Sequence, residues 1–312
     1  MDRSAYIVGR LLQMVPVLGV LTVLVFMMIR LIPGDPAVTL LGVEATADKV
    51  AALRQHLGLD EPLPVQFWLY LSGLAHGDLG SSFIVRVPVL QLVQERLPLT
   101  LFLVAYAMTL AVILTFPLAL LAALHRDSML DQFVRGFTVA MMSTPGFWVG
   151  IILLILLGVK LSIFPVGGAG KTWGDRFYYL FLPALTLALG VSAVLIRNLR
   201  DAILSTLNAE HVVFARAKGL DARLVLLKHV LRNALISTVT LFGLYVGFLV
   251  GGSVIVESVF ALPGMGSMMV TAILGRDYQI VQGFTLVYAV LVSVVYLLTD
   301  VTYSFVDPRI TL

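Results

Sequence analysis

A bundle of six membrane-spanning helices is the fold that this sequence predicts. Three observations predict it. Of the 312 residues, 59% are hydrophobic and 12% are charged, and that share of charge is about half of what soluble domains carry. Mean hydropathy is +0.99, which is more apolar surface than a soluble core needs. The apolar residues also come in long continuous runs rather than in alternation, which favours helices over a barrel. The class is an all-α integral membrane protein.

Six runs have the roughly 20 apolar residues that a spanning helix needs. They lie at Leu11–Ile29, Leu99–Leu124, Gly136–Val159, Phe177–Ile196, Ala234–Val256 and Phe284–Thr299, each free of Lys, Arg, Asp and Glu. The first is too long for a signal-peptide core and no small-residue cleavage site follows it, so it reads as a retained span. The start, MDRSAY, lacks the glycine that myristoylation needs. Orientation follows from Lys and Arg in the short flanks. With the N-terminus inside, the inner segments carry twelve of them: Arg3, Arg10, Arg126, Arg135 and Arg309, and seven between Arg197 and Arg232. The outer segments carry nine, of which five lie on or beside the long first outer segment, where the rule is weak. Twelve against the remaining four predicts N-in, C-in. The chain then divides into residues 1–31 (N-terminus and first span), 32–97 (an extracytoplasmic segment) and 98–312 (a five-helix core).

Three extramembrane pieces have content. The outer segment reads as short helices. Thr46 can cap one with Val50, Leu53 and Leu57 on one face, and Gly58 stops it. PLPVQFWLYLSGL then gives an amphipathic stretch whose Phe67, Trp68 and Leu71 suit a membrane surface. Between spans four and five lies a short charged helix. Asn208 is a good N-cap, Glu210 lies in the first turn, Arg216 and Lys218 lie in the last, and Gly219 stands at the C′ position. It is either a connector on the headgroups or a docking element for a cytoplasmic partner. The third piece, Glu257 to Gly283, is long and apolar for a connection and is broken by Pro263-Gly264-Met265-Gly266. It either re-enters the membrane edge or lies over the outer face.

Catalytic chemistry is hard to place on this chain. There is no cysteine, no HExxH and no GxSxG, and the five histidines have no metal-ligand spacing. PVGGAGKT, Pro165–Thr172, ends like a phosphate-binding loop, but Pro165 stands where the first glycine belongs and an apolar run precedes it instead of a short strand. It reads as an outer turn between spans three and four. The six runs lack buried carboxylates, and Glu257 and Asp300 stand at span ends, which weakens an ion-driven transport reading. Gly243, Gly247 and Gly251 form a small-residue row that lets another helix approach, either within this chain or from a second one. Met141, Met142 and Ser143–Gly146 break span three, as a kink or as a pathway lining.

IPGDPA (Ile32–Ala37), LGLDEPLPVQFWLYLSGLAHGDLGSS (Leu57–Ser82), ERLPLTL (Glu95–Leu101), ARAKGL (Ala215–Leu220), HVLRNAL (His229–Leu235), ESVFALPGMG (Glu257–Gly266) and DPR (Asp307–Arg309) occur in that order. Together they resemble the permease subunits of bacterial ABC importers of the dipeptide, oligopeptide and nickel family, specifically the first permease of the pair. The resemblance covers nearly the whole chain. It implies that the inner helix, about residues 205–220, is a coupling helix seated in a groove of an ATPase, through Glu210, Val213, Phe214, Ala215, Arg216, Ala217, Lys218 and Gly219. Phe214 would be its apolar anchor, and Arg216 and Lys218 would pair with carboxylates. Val213, Phe214 and Ala215 stand at the leading positions of the signature loop, whose acidic residue and first alanine are absent here, and Arg232 stands in place of the later proline. Pro263, Gly264, Met265 and Gly266 are outer-gate candidates. The implied partners are a homologous second permease, two cytoplasmic ATPase subunits that hold ATP and Mg, an extracytoplasmic binding protein and membrane lipid, but no nucleic acid. No cofactor is expected on this chain, and it is not itself an enzyme. Peptide is the leading cargo, with a nickel chelate or glutathione as alternatives.

Overall fold

The structure is a computed structural model that describes residues 3–31, 36–41, 45–56, 58–82 and 84–306. The Ile32–Asp35 part of the first motif, Leu57 and the closing Asp307–Arg309 lie outside the described residues. The described chain is helical throughout, with a single isolated bridge between Ser81 and Pro88. In order the helices are α1 (Arg3–Leu31), α2 (Pro36–Leu41), α3 (Ala47–His56), α4 (Leu63–Ala75), α5 (Val89–Leu124), α6 (Met129–Ser143) and α7 (Gly146–Leu153). They continue as α8 (Trp173–Tyr179), α9 (Phe181–Leu207), α10 (Glu210–Ala217), α11 (Ala222–Leu224), α12 (Arg232–Val259), α13 (Met265–Leu274) and α14 (Tyr278–Val306). π-Helical turns extend α7 through Lys160 and join α11 to α12 through Val225–Leu231.

Five of these elements are long and apolar enough to cross a bilayer, and the bent pair α6–α7 makes a sixth if it is one span. The predicted third span, Gly136–Val159, is therefore two helices, turned by 107° against each other. The cause is local. Pro145 has no N–H to continue the ladder, and the residue before a proline is pushed out of the α region. Thr144 accordingly sits at φ −103°, ψ 130°. Elsewhere the helices outrun the apolar stretches. α5 has 36 residues, about 54 Å at the usual rise, against a hydrocarbon core of about 30 Å. It runs unbroken through the 97/98 division.

α9 is the centre of the bundle, with 67% of its apolar window buried against 11% for α1. Its broadest partner is α5. Alanines let the two come close: Ala107, Ala111 and Ala119 on one side, and Ala184, Ala188 and Ala193 on the other, are fully buried. Two apolar cores result. One gathers Leu103, Leu182, Leu195, Val250, Phe260 and Phe284. The other, at the end that carries α10, gathers Ala119, Ala122, Val134, Ile196, Leu199 and Ile203 with Val212 and Ala215. α1 leans on α14 and is tied to it by Arg10 and Asp300, 3.1 Å apart.

The outer segment does form short helices. α3 opens after Thr46, whose carbonyl accepts from Val50 N–H at 2.9 Å, and it is closed by Gly58 at φ +61°. In α4 the expected aromatic face divides. Adjacent residues on a helix stand about 100° apart, so Trp68 faces outward, 70% exposed. Phe67 and Tyr70 instead turn in onto Phe26 of α1, with ring centroids 5.0 and 5.7 Å away.

Candidate functional site

α10 is a seated helix with an open outer face. It begins one residue later than the sequence suggests. Asn208 does not cap it: the Asn208 N–H donates to the Ser205 carbonyl at 3.3 Å and its side-chain amide to the Leu204 carbonyl at 3.2 Å, so it closes α9 instead. Ala209, extended at φ −73°, ψ 144°, takes the N-cap position without a side-chain bond. The other end agrees with the sequence. Gly219 lies at φ +75°, where only glycine is at ease. Its N–H donates to Arg216 O at 2.9 Å, and Leu220 N–H donates to Ala215 O at 3.3 Å. Those two bonds make a Schellman close.

Burial sorts the residues of α10 into two sets. Val212 and Ala215 sink into the second core among Ile203, Val225 and Val230. Val213 is 55% and Phe214 66% exposed, and Glu210, Arg216, Ala217, Lys218 and Gly219 are exposed around them. The site is thus an apolar patch centred on Phe214 with a basic rim, held on a rigid base. Phe214 is an exposed aromatic on a helix whose other face is packed.

The base itself is braced by ions. Asp131, at the third position of α6, is fully buried. It accepts from Arg200 of α9 twice, Nε to Oδ1 at 2.6 Å and Nη2 to Oδ2 at 2.8 Å, and from Asp127 N–H at 3.0 Å. Ser128 caps the same turn by accepting from Asp131 N–H at 3.3 Å.

At the opposite end of α12, Glu257 is also fully buried. It accepts from the Thr100 hydroxyl of α5 at 2.7 Å, from Gly266 N–H at 2.7 Å and from Ser267 N–H at 3.2 Å. Thr100 in turn accepts from Met265 N–H at 3.0 Å. Those are the first three amides of α13, whose own N-cap, Gly264, has no side chain to offer. Glu257 and Thr100 therefore cap α13 from other helices. A Cβ on Gly264 would run into the Glu257 carboxyl, and one on Gly266 would strike the Val254 backbone, so both glycines are required by close approach. Met265 is buried, and Pro263 faces out. Nearby, Asp277 is buried and accepts from the Ser82 hydroxyl at 2.5 Å and Ile84 N–H at 3.3 Å, which ties the outer segment to the turn before α14.

The apolar runs themselves hold no carboxylate, as the sequence shows, but Asp131 and Glu257, which stand outside the runs, are buried all the same. Both fall just outside the apolar runs but inside the helices that those runs extend into. Their partners lie on other helices, so spacing along the chain could not reveal them. The one signal was ESVFALPGMG, where an acid precedes a glycine-rich helix start.

The glycine row also divides. A Cβ on Gly243 would overlap Thr299 of α14, and one on Gly247 would lie 2.6 Å from the Tyr296 ring, whereas Gly251 has nothing within 4 Å. Two of the three serve packing inside this chain. In Pro165–Thr172 the last two amides are already engaged. Lys171 and Thr172 N–H donate to Asp175 Oδ2 at 3.3 and 3.0 Å, and Thr172 Oγ accepts from Asp175 N–H at 3.2 Å. The lysine-threonine pair caps α8 rather than cradling a phosphate.

An open groove of about 450 Å³ lies beside the α6–α7 break, between Met141, Met142 and Thr144 on one side and Tyr245 and Phe248 of α12 on the other.

The described residues thus make a bundle of membrane-length apolar helices with a short helix seated at one end. Residues 115–312 match the family described as "Binding-protein-dependent transport system inner membrane component", and residues 4–104 match that family's N-terminal part. The chain belongs to this family: it is a permease subunit of an ABC importer, of the dipeptide and oligopeptide group, in the bacterial inner membrane. It is 39% identical over 305 residues to the "Glutathione transport system permease protein GsiC" of Pectobacterium atrosepticum, covering 98% of each chain. To the protein of the same name in Escherichia coli (strain K12) it is 38% identical, with the same coverage. Among solved structures, the inward-facing MetNI methionine ABC transporter aligns with a TM-score of 0.59 at 16% identity, over 70% of this chain and 97% of that one. An amino acid ABC transporter with histidines aligns at 0.55 and 16%, over 70% and 99%. These two share the fold.

Proposed function

We propose that this chain forms half of the translocation pathway of an ATP-driven importer for short peptides, and that α10 is its coupling helix. The single observation that carries the reading is the exposed Phe214 patch on a helix whose inner face is locked into the bundle. The chain is oriented N-in, C-in, with residues 32–97 outside and α10 at the cytoplasmic face. Of two ATPase subunits holding ATP and Mg, one receives the face formed by Glu210, Val213, Phe214, Ala217 and Lys218, with Arg216 and Lys218 meeting carboxylates. Ala215 and Gly219 set the helix's seat and its end. A second, homologous permease completes the pathway, and an extracytoplasmic binding protein delivers cargo on the side of Pro263, Gly264, Met265 and Gly266. Gly251, which has no partner in this chain, is the member of the glycine row left to face that second permease.

The names of the relatives favour glutathione, itself a tripeptide, as one cargo within the short-peptide class. A nickel chelate is the alternative cargo.

The test uses the complete importer in proteoliposomes with ATP inside. Phe214→Asp should leave membrane insertion and subunit assembly intact while abolishing uptake of labelled peptide. Normal uptake by that variant would refute the docking role. Uptake by this chain alone, driven by an ion gradient, would refute the ATP-driven reading.

A further inference from the structure

We propose that the Asp131–Arg200 pair is a positioning joint of the import cycle. It passes displacement of the α9–α10 block into α6, and through that rod to the break at Thr144-Pro145. The inference rests on the coupling role of α10 proposed above.

The geometry has three parts. The first is the joint. Asp131 is fully buried, the Arg200 side chain is 11% exposed, and two parallel bonds of 2.6 and 2.8 Å join them. A forked guanidinium–carboxylate contact fixes angle as well as distance. Stability alone gives little reason for it, because well-packed apolar side chains of similar volume serve as well or better at such sites. The second is the location. Arg200 stands between Leu199 and Ile203, which seat Val212 and Ala215 of α10, and Val134, one turn along α6 from Asp131, enters the same core. Whatever moves α10 on that seat moves Arg200 with it.

The third part is the rod. α6 has 15 residues, about 22 Å of rigid helix. Its buried residues are Asp131, Val134 and Thr138, all in the first two-thirds. Past them Val139 and Met142 are 58% and 47% exposed. The fork fixes the helix at its foot, and the 107° break and the groove beside Tyr245 and Phe248 begin at its head. A small tilt at the foot becomes a larger shift at that groove. A buried network with a discrete arrangement is the kind of element that carries such coupling.

The experiment exploits the absence of cysteine from the sequence. Single cysteines are placed by Ser143→Cys at the head of α6, or by Ser205→Cys near the end of α9, beside α10 and outside its docking face. Each is labelled with an environment-sensitive fluorophore in the assembled importer in nanodiscs. A non-hydrolysable ATP analogue is then added. In the parent background both labels should respond. With Asp131→Leu and Arg200→Met together, or with Arg200→Lys alone, the label at 205 should still respond and the label at 143 should fall silent. The lysine variant keeps the charge and loses only the fork, so it tests the joint even if the double variant fails to assemble. An undiminished response at 143 in either assembled variant overturns the inference and leaves the docking reading standing. A label at 205 that is silent in the parent shows that ATP does not move the α9–α10 block, which overturns the coupling reading and the joint with it.

Discussion

Replacing Glu257 by leucine should destabilise the bundle far more than replacing it by glutamine. Leucine has similar bulk and no acceptor. It strands the Gly266 and Ser267 amides, which donate to Glu257 at 2.7 and 3.2 Å and have no other partner in sight. Each buried amide left without an acceptor costs about 1–3 kcal/mol, so the two together cost about 2–6 kcal/mol. The Thr100 hydroxyl adds less, because a helical threonine can turn back to a carbonyl in its own helix. Glutamine keeps one carbonyl oxygen facing the two amides and should cost about 1 kcal/mol, a single neutral hydrogen bond. The assay is denaturant unfolding of the purified, lipid-reconstituted protein, read by near-ultraviolet circular dichroism. Hydrogen exchange over 265–274 runs in parallel and should accelerate in the leucine variant first. A leucine variant as stable as the glutamine one would refute the idea that Glu257 is the cap of α13.

Four further outcomes are expected. Gly247→Ala drives a methyl onto the Tyr296 ring and should cost about 1–3 kcal/mol of stability through overpacking, relieved by Tyr296→Ala. Gly251→Ala meets nothing and should be neutral or stabilising by roughly 0.5–1 kcal/mol, both read by the same unfolding assay. Gly219→Ala, at φ +75° with open space around its Cβ, should loosen the end of α10 by about 1–2 kcal/mol through backbone strain alone; exchange of the Leu220 amide is the measurement. The Asp175 carboxyl is held below its ordinary range, chiefly by the Thr172 amide. A depressed folded value means that its stabilisation of the α8 cap is present above the unfolded carboxylate value, about 3.9, and is lost as pH falls through the folded one. Fluorescence of Trp173, as the single remaining tryptophan, should report a transition below that value, and Asp175→Asn should remove it.

What the sequence shows of this fold depends on how local the cause is. Continuous apolar runs mark α1, α5, α9, α12 and α14, because a bilayer demands them wherever the helices go. Gly219 and Gly58 mark helix ends because positive φ is a property of the residue itself. Pro145 marks a break, but the angle of 107° is set by what α6 and α7 each pack against. Asn208 misleads because two helix ends lie one residue apart, and its amide is taken by the earlier one. Phe214 can be singled out from the family motif, whereas its exposure rests on Val212 and Ala215 facing a core assembled from α5, α6 and α9. Glu257 escapes because its hydroxyl partner, Thr100, is 157 residues away.

That last separation also orders events during biogenesis. α13 has ten residues, too few to persist as a helix alone, and it carries no cap of its own. Its leading amides find acceptors only on α5, made 165 residues earlier, and on α12. It therefore settles after those two helices have met, late in insertion. An intermediate in which α5 and α12 are still apart leaves the Met265–Ser267 amides as bare donors. The outer turn is in this sense a seal that closes only on a correctly assembled bundle.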